Sequence, residues 1–464
     1  MLQQFQIYFT GNEPENVEFA VFGEDSLLFV NSERSSLVFV YDVKDPTAPV
    51  FLQALPAGLE PEGLKAIPAR NLLVTASEVD DRGGKVRAGI TIYLREESSA
   101  QYPTLVSDND ETGNPIPFSA LSGLAAAEPY GVTASSRRTK MRKSRRLGGE
   151  PPMPSLMENE DGAGPAIEEK PGDILYSIED SYFKKNRVFT IDTNFAPARI
   201  THAMRIMDSL GVLADALGDD NNMTELLLNA DNTVNLDPEG ISVSQTGGFW
   251  LVHEGSGTAG DEARPLVSYN MLFKLDDAAG IERVIFLPEE LNDIQLRFGF
   301  EGVAEDSDGQ HVVVAFQRAW GEDADPRIGI YDTETDTWKF VFYPLGQPES
   351  QNGGWVGLSD IASLGMGKFM VIERDDQGGE DAVIKRLFKI DLGEDFAVEE
   401  GTTIEKEFYM DLVPLLASYG GAVIEKVEGL AVTSGGNVYI NTDNDGVEDN
   451  SGEQVLLMVG HYHD

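Results

Sequence analysis

Residues 300–332 hold three short runs, Phe300-Glu301-Gly302-Val303-Ala304, His311-Val312-Val313-Val314-Ala315-Phe316-Gln317-Arg318 and Arg327-Ile328-Gly329-Ile330-Tyr331-Asp332, separated by spacers rich in Asp and Gly. Runs of this length, alternating or apolar and bounded by turn formers, read as strands joined by turns. The first begins with Glu-Gly and an apolar residue, the second ends in polar groups, and the third has a basic start and a terminal aspartate.

The pattern recurs. Glu-Gly followed by an apolar residue stands at Pro61-Glu62-Gly63-Leu64, Pro238-Glu239-Gly240-Ile241, Phe300-Glu301-Gly302-Val303 and Val427-Glu428-Gly429-Leu430, with a variant at Ser122-Gly123-Leu124. The polar end of the second run falls 15 or 16 residues after the glutamate, at Glu78, Glu254, Gln317 and Asp443. Third runs of the same kind are Arg187 to Asp192 and Arg386 to Asp391, and units without Glu-Gly lie at Val17 to Val43 and Ser359 to Asp391. Counting all of them gives seven units, the signature of an all-β chain folded as a β-propeller of seven blades. One propeller then accounts for residues 1–464, with 1–100 as its first two blades. The last unit lacks a fourth strand, and Gln4 to Phe9 is an orphan strand, so pairing of the two termini is expected to close the ring and remove its edges.

Two stretches stand outside the repeat. Residues 127–172 carry Arg137, Arg138, Lys140, Arg142, Lys143, Arg145 and Arg146, then Pro151-Pro152 and an acidic run, and read as a disordered surface insertion. Residues 201–228 place Leu210, Leu213, Leu217 and Leu226 at roughly helical spacing and predict a packed helical excursion.

Composition narrows the chemistry. Among 464 residues, 41% are hydrophobic, enough for a core, and no apolar run is long enough to span a membrane. The balance of 35 basic against 79 acidic residues gives a net charge of -44, which repels nucleic acid. With no cysteine and five histidines, any metal should be a hard cation held by oxygen, calcium first. Met1-Leu2-Gln3-Gln4-Phe5 has neither the basic nor the apolar segment of a signal peptide.

Strands alternate in direction, so the turn entering a first strand and the turn leaving a second lie on one face. Glu62, Glu239, Glu301 and Glu428 should therefore meet Glu78, His253, Glu254, Gln317, Arg318, Glu373, Arg374, Asp443 and Asp445 around a channel. So many carboxylates raise one another's pKa unless something compensates, and calcium would do so. Singly, each motif is also explained as a turn, glycine allowing a tight bend and glutamate accepting backbone hydrogen bonds. Asn441-Thr442-Asp443-Asn444-Asp445-Gly446 alternates oxygen-bearing side chains before a glycine, as calcium loops do, or as an Asx-rich turn does. We therefore take Glu62, Glu239, Glu301, Glu428, Asp443 and Asp445 as candidate metal ligands. His253, Glu254, Arg318, Glu373 and Arg374 are candidate catalytic groups: a base or acid beside arginines able to hold an anionic, phosphorylated small molecule. No Gly-x-Ser-x-Gly elbow or P-loop is present.

Ala120-Leu121-Ser122-Gly123-Leu124, Ser177-Ile178-Glu179-Asp180-Ser181, Asp237-Pro238-Glu239-Gly240-Ile241, Gly299-Phe300-Glu301-Gly302, Ser359-Asp360-Ile361-Ala362, Val371-Ile372-Glu373-Arg374-Asp375, Lys426-Val427-Glu428-Gly429-Leu430 and Asn441 to Gly446 together resemble the phytase-like family, described as having esterase-like activity of phytase. The resemblance covers 112–464. Residues 1–100, with Asn31-Ser32-Glu33-Arg34-Ser35-Ser36 and Pro61 to Glu78, resemble the closing blades of bacterial choice-of-anchor propeller proteins. These resemblances imply a bacterial, extracellular or periplasmic propeller that hydrolyses phosphoesters or esters; joined to the oxygen-ligand reading above, the expectation is a calcium-assisted hydrolase, monomeric. The alternative is a propeller that binds without catalysis and uses calcium structurally. His253-Glu254 departs from the Asp-Glu pair expected at that point of the family.

Overall fold

In the computed structural model these runs are strands of separate, mainly antiparallel sheets; the described residues are 13–81, 86–98, 102–132, 172–181, 184–444 and 454–463. Two sheets come first: β1 (Pro14–Phe22), β2 (Asp25–Ser32), β3 (Leu37–Asp42) and β4 (Val50–Pro56), then β5 (Pro61–Ile67), β6 (Leu72–Ser77) and β7 (Gly89–Leu94). Five sheets follow, termed blades A to E. Blade A holds β8 (Leu105–Ser107), β9 (Leu121–Ala126), β10 (Ile174–Glu179), β11 (Arg187–Asp192) and β12 (Ala198–Arg205). Blade B holds β13 (Pro238–Val243), β14 (Phe249–His253), β15 (Met271–Leu275) and β16 (Ile281–Phe286). Blade C holds β17 (Phe300–Glu305), β18 (His311–Phe316), β19 (Arg327–Asp332) and β20 (Thr337–Phe342). Blade D holds β21 (Val356–Gly365), β22 (Lys368–Asp375), β23 (Lys385–Asp391) and β24 (Lys406–Asp411). Blade E holds β25 (Val427–Val432), β26 (Asn437–Thr442) and β27 (Leu456–His461).

The inner strands of the five blades lie side by side in cyclic order: β9 beside β13, then β17, β21, β25 and β9 again. The hydrophobic core follows the same cycle as five wedges, one between each pair of consecutive blades. Along β14, Phe249 and Leu251 face blade A while Trp250 and Val252 face blade C, so alternate residues of one strand serve two wedges. That is why the second runs are apolar throughout.

Among the described residues five inner strands complete this cycle, whereas the sequence reading counted seven units. The first two sheets pack on each other through a separate cluster that includes Phe22, Phe29, Val40 and Leu73. Their outer faces leave Val17, Phe19 and Val21 of β1 and Ile90, Ile92 and Leu94 of β7 exposed. Among the described residues, blade E is tied to the segment before β8: Leu456 N donates to Pro103 O at 2.9 Å, Thr104 bridges Val455, and β8 then runs parallel to β12. Gln4 to Phe9, the basic residues 137–146 and Asp445 lie outside the described residues. Of the expected helical excursion, the first residues complete β12, and helices α1 (Val212–Leu217) and α2 (Asn221–Leu227) follow, packing Leu213 and Leu227 against the wedge between blades A and B.

Crowding at the axis explains the glycines. A β-carbon placed on Gly240 would stand 2.7 Å from Glu301 O and 2.8 Å from Gly302 Cα, and one on Gly123 would stand 2.8 Å from Gly240 Cα. These glycines are not among those with positive φ, so space rather than backbone angle requires them. Blade D has Asp360 at this position. Its Oδ2 accepts Leu430 N at 2.7 Å and Leu124 N at 3.4 Å, and its Oδ1 accepts Ile361 N at 2.8 Å, tying blades D, E and A together. Gly63, by contrast, meets only the Ala76 β-carbon, at 3.4 Å.

This contrast gives a test of ring membership. Gly240→Ala should cost about 1–3 kcal/mol of overpacking in urea unfolding, whereas Gly63→Ala should stay within roughly 0.5 kcal/mol of the parent. Equal effects at the two positions would contradict the five-blade arrangement.

Candidate functional site

Every Glu-Gly motif sits on a β-bulge. The pairing register slips between Pro238 and Gly240, Phe300 and Gly302, and Val427 and Gly429, so that Glu239, Glu301 and Glu428 are extra residues turned out of the regular ladder. None of the three side chains accepts a backbone hydrogen bond among the described residues, so fixing a turn does not account for them. Blades A and D have Ser122 and Ser359 at the same place, with irregular pairing there too. The residues just past the paired end of the second strand are Asp180, Glu254, Gln317 and Asp443 in blades A, B, C and E, with Arg374, paired to Gly357, in blade D; those two before the bulge are Ala120, Asp237, Gly299, Gly357 and Lys426.

These positions converge. Carboxylate oxygens of Asp237, Glu239 and Glu254 all lie within 4.8 Å of one another. Burial and then Glu301 and Asp237 push the Glu239 carboxyl well above its ordinary range, and burial followed by Glu254 and Glu428 does the same to Glu301. Glu254 is also driven up, by burial and Asp237, although it accepts Gly299 N at 3.0 Å. Glu428 goes the other way: burial would raise it, but Lys426 and Arg374 outweigh that and hold it low.

Arg374, 2% exposed, donates from Nη2 to Glu428 and from Nε to Ser359 Oγ at 2.9 Å. Lys426 Nζ donates to Asp443 Oδ2 at 2.7 Å. Asp443 is raised, by burial first, and stands within hydrogen-bonding reach of Glu428. Yet Glu428 Oε2 and Asp443 Oδ1 are buried with no hydrogen-bond donor. Two carboxylates facing each other in this way need a proton or a cation between them.

Counting Asp180, Asp237, Glu239, Glu254, Glu301, Glu428 and Asp443 against Arg374 and Lys426 leaves seven negative groups and two positive, a formal balance of -5. Gln317 Oε1 is a further buried acceptor without a donor. The set is entirely oxygen, and two oxygens on one calcium, each about 2.3–2.6 Å from it, lie at most about 5 Å apart. The donors therefore fit a hard cation.

Other predicted residues are placed differently. His253 is buried; its Nδ1 accepts Asp237 N at 2.8 Å, which puts the ring proton on Nε2, a buried donor without an acceptor. Burial also lowers the His253 pKa. The imidazole is thus a neutral brace for the Asp237 backbone, with its basic nitrogen occupied. Glu373 points away from the cluster, pairs with Lys406 and stands against Tyr343, because strand alternation sends it to the opposite side from Arg374. Glu62 is exposed on the second N-terminal sheet, outside the ring, where Glu78 instead meets Glu33 and Glu60.

Arg318 is half-buried and seated between two rings, its Cζ 5.0 Å from the Phe298 centroid and 5.3 Å from that of Trp355. Arg374 also lies over Trp355, at 5.3 Å. Sequence reading missed Asp180, Asp237 and Lys426 as members of the cluster and Asp360 as the tie at the axis. Their signal was available as fixed offsets from each bulge, and Asp360 as the residue replacing glycine.

No curated protein sequence matches the chain. Similar solved structures include a hydrazine synthase of Kuenenia stuttgartiensis, at 10% identity and TM-score 0.30 with 100% of both chains covered. A protein from Lactobacillus plantarum has 12% identity and TM-score 0.30, with 90% of each chain covered. A thermostable family-43 glycoside hydrolase has 11% identity and TM-score 0.33, with 62% of this chain and 86% of the other covered. Overlaps this low carry no argument about chemistry. The family described as Phytase-like, esterase-like activity of phytase, matches residues 165–446, which include the inner strands of blades B to E and their bulges. This match takes in more than half of the chain, which therefore belongs to the phytase-like family.

Proposed function

We propose that the chain is a hydrolase of small anionic esters, phosphoesters foremost, acting at the bulge face of the ring with calcium. The observation carrying this reading is the convergence of seven carboxyls, two of them presenting buried oxygens without donors, on a face where both cations of the cluster are already engaged. Asp237, Glu239 and Glu254 would hold the ion, with Glu301, Glu428 and Asp443 completing the anionic wall. A hard cation bound there would supply Lewis-acid polarisation of the ester and neutralise developing charge.

The chain's own groups do the positioning. Arg374, locked by Ser359, fixes Glu428, while Lys426 fixes Asp443. His253 holds the Asp237 backbone, and Glu254 anchors Gly299 at the head of β17. Arg318 is the group with N–H donors left for a substrate oxygen. The occupied imidazole favours a second reading, a binding scaffold with structural calcium, since it removes the cluster's one non-carboxylate base.

The deciding assay is turnover of a phosphomonoester, a phosphodiester and phytate by the purified chain, with calcium and with chelator. Calcium-dependent hydrolysis that falls about 100-fold in Glu301→Gln is expected; absence of turnover on all three, with the fold intact, would leave the scaffold reading. Calcium at 100 times its dissociation constant should add about 2.7 kcal/mol to stability. Glu239→Gln should melt higher than the parent in chelator, because a neutral amide takes the place of a buried carboxyl crowded by Glu301 and Asp237, and gain less from calcium. A variant that melts lower in chelator and gains as much from calcium would argue against a shared cation.

A further inference from the structure

A blade of the ring buries both of its faces, and every residue of inner strand β17 and of third strand β15 is buried. The two N-terminal sheets are built for the same use. Leu27-Leu28-Phe29-Val30 in β2 and Leu37-Val38-Phe39-Val40-Tyr41 in β3 are apolar on both sides of the pleat. Inner strand β1 lies beside β5, as the inner strands of consecutive ring blades lie beside each other. Yet these sheets share a single wedge, which takes Phe22, Phe29 and Val40 from the first and Leu64 and Leu73 from the second. The opposite face of each sheet is left to solvent.

Both free faces are apolar and continuous. On the first sheet Val17, Phe19 and Val21 are 58%, 56% and 47% exposed, and pairing sets Leu28 opposite Phe19, Val30 opposite Val17 and Phe39 opposite Val30. On the second, Ile90, Ile92 and Leu94 are 69%, 63% and 60% exposed and stand opposite Ala76, Val74 and Leu72. Lys65, across from Val74, brings a charge to that face, and Glu18 of β1 pairs with it at 2.8 Å. In a chain with 79 acidic residues among 464, sheet faces made of Val, Ile, Leu and Phe are patches of the kind that mark an interface.

Their placement selects what covers them. The two faces lie on opposite sides of one two-sheet unit, so a lipid surface or a single bound peptide would cover one and leave the other. By the order of the ring, the free face of the first sheet is the side that meets a preceding blade, and that of the second sheet is the side that meets a following one. A second copy of the chain supplies both partners through one repeated contact. We propose that the chain associates head to tail through its N-terminal sheets, the first-sheet face of one copy against the second-sheet face of the next, and closes into a cyclic oligomer whose sheets form a second, shared propeller. Two blades per copy, set against the four to eight blades that propellers span, give an assembly of about two to four copies. This departs from the expected monomer, because strand spacing reveals two apolar faces per strand without revealing whether one chain fills both. The contact is independent of the hydrolase reading.

The test is sedimentation velocity of the full chain at micromolar concentration. The parent should run as one species at a whole multiple of the monomer mass, and added salt should strengthen the assembly, since it screens the repulsion between copies of net charge -44 and spares apolar contact. Phe19→Asp and Ile92→Asp each spoil one half of every contact, so each alone should sediment as a monomer. Leu210→Asp, at a leucine 80% exposed outside both faces, should assemble as the parent does. Melting curves check that the variants fold, and Val17→Asp takes the place of Phe19→Asp if that one does not. A mixture of Phe19→Asp and Ile92→Asp joins an intact second-sheet face to an intact first-sheet face, and should give a dimer that neither variant forms alone. A monomeric parent, an assembly that survives either Asp variant, or a mixture that stays monomeric overturns the proposal. Assembly lost in Phe19→Asp but kept in Ile92→Asp would mean that like faces meet across a two-fold axis, which overturns it as well.

Discussion

Everything in the ring depends on how closely five inner strands approach one axis. At Gly123, Gly240, Gly302 and Gly429 there is no room for a methyl group, the neighbouring strand or a facing side chain standing under 3 Å from where it would be. Close packing of this kind converts a loose stack of sheets into a unique arrangement, because any larger residue pushes blades apart and opens two wedges at once. Blade D uses the opposite device. Asp360 fills the gap with a carboxylate and accepts backbone N–H groups from blades A and E, so one side chain closes the ring where a glycine would leave it open.

The same geometry builds the site. An inner strand that must present glycine to its neighbour, and still pair with the second strand of its own blade, takes an extra residue just before it. The bulge accommodates that residue and turns its side chain out of the ladder, which is how Glu239, Glu301 and Glu428 reach a common space. Fold and chemistry are therefore coupled through one local irregularity. Asp237, Glu254, Lys426 and Asp443 join only because they stand next to the bulged position on one strand or just past its partner on the other.

This coupling marks how far the sequence could be read. Strand periodicity and the repeated Glu-Gly were legible from spacing, and they located three of the clustered glutamates as well as Glu254, Arg374 and Asp443. Blade number was not legible, since Glu62-Gly63 repeats the motif and its bulge without the axial crowding: local turn chemistry is copied even where the neighbouring strand is different. Side-chain direction was lost in the same way. Glu373 and Arg374 are adjacent in sequence, and only the pleat decides that one meets Lys406 and the other Glu428. The aromatic seat of Arg318 was invisible because Phe298 and Trp355 come from turns 57 residues apart.

A cluster with a formal balance of -5 is costly to assemble, and no single pair within it repays that cost. Arg374 and Lys426 each satisfy one carboxylate, but burying a charged pair usually returns little net stability once both partners are desolvated. The stabilisation must come from elsewhere, and the five hydrophobic wedges are the evident source, each contributed by residues from two blades. Their arrangement also explains why the charge can be held at one end. The wedges fill the space between blades, while the bulges sit at the strand ends, where a repulsive group can be offset by a bound cation without loosening the core. Destabilising electrostatics placed where the scaffold is stiffest is the pattern expected of a ligand site rather than of a structural turn.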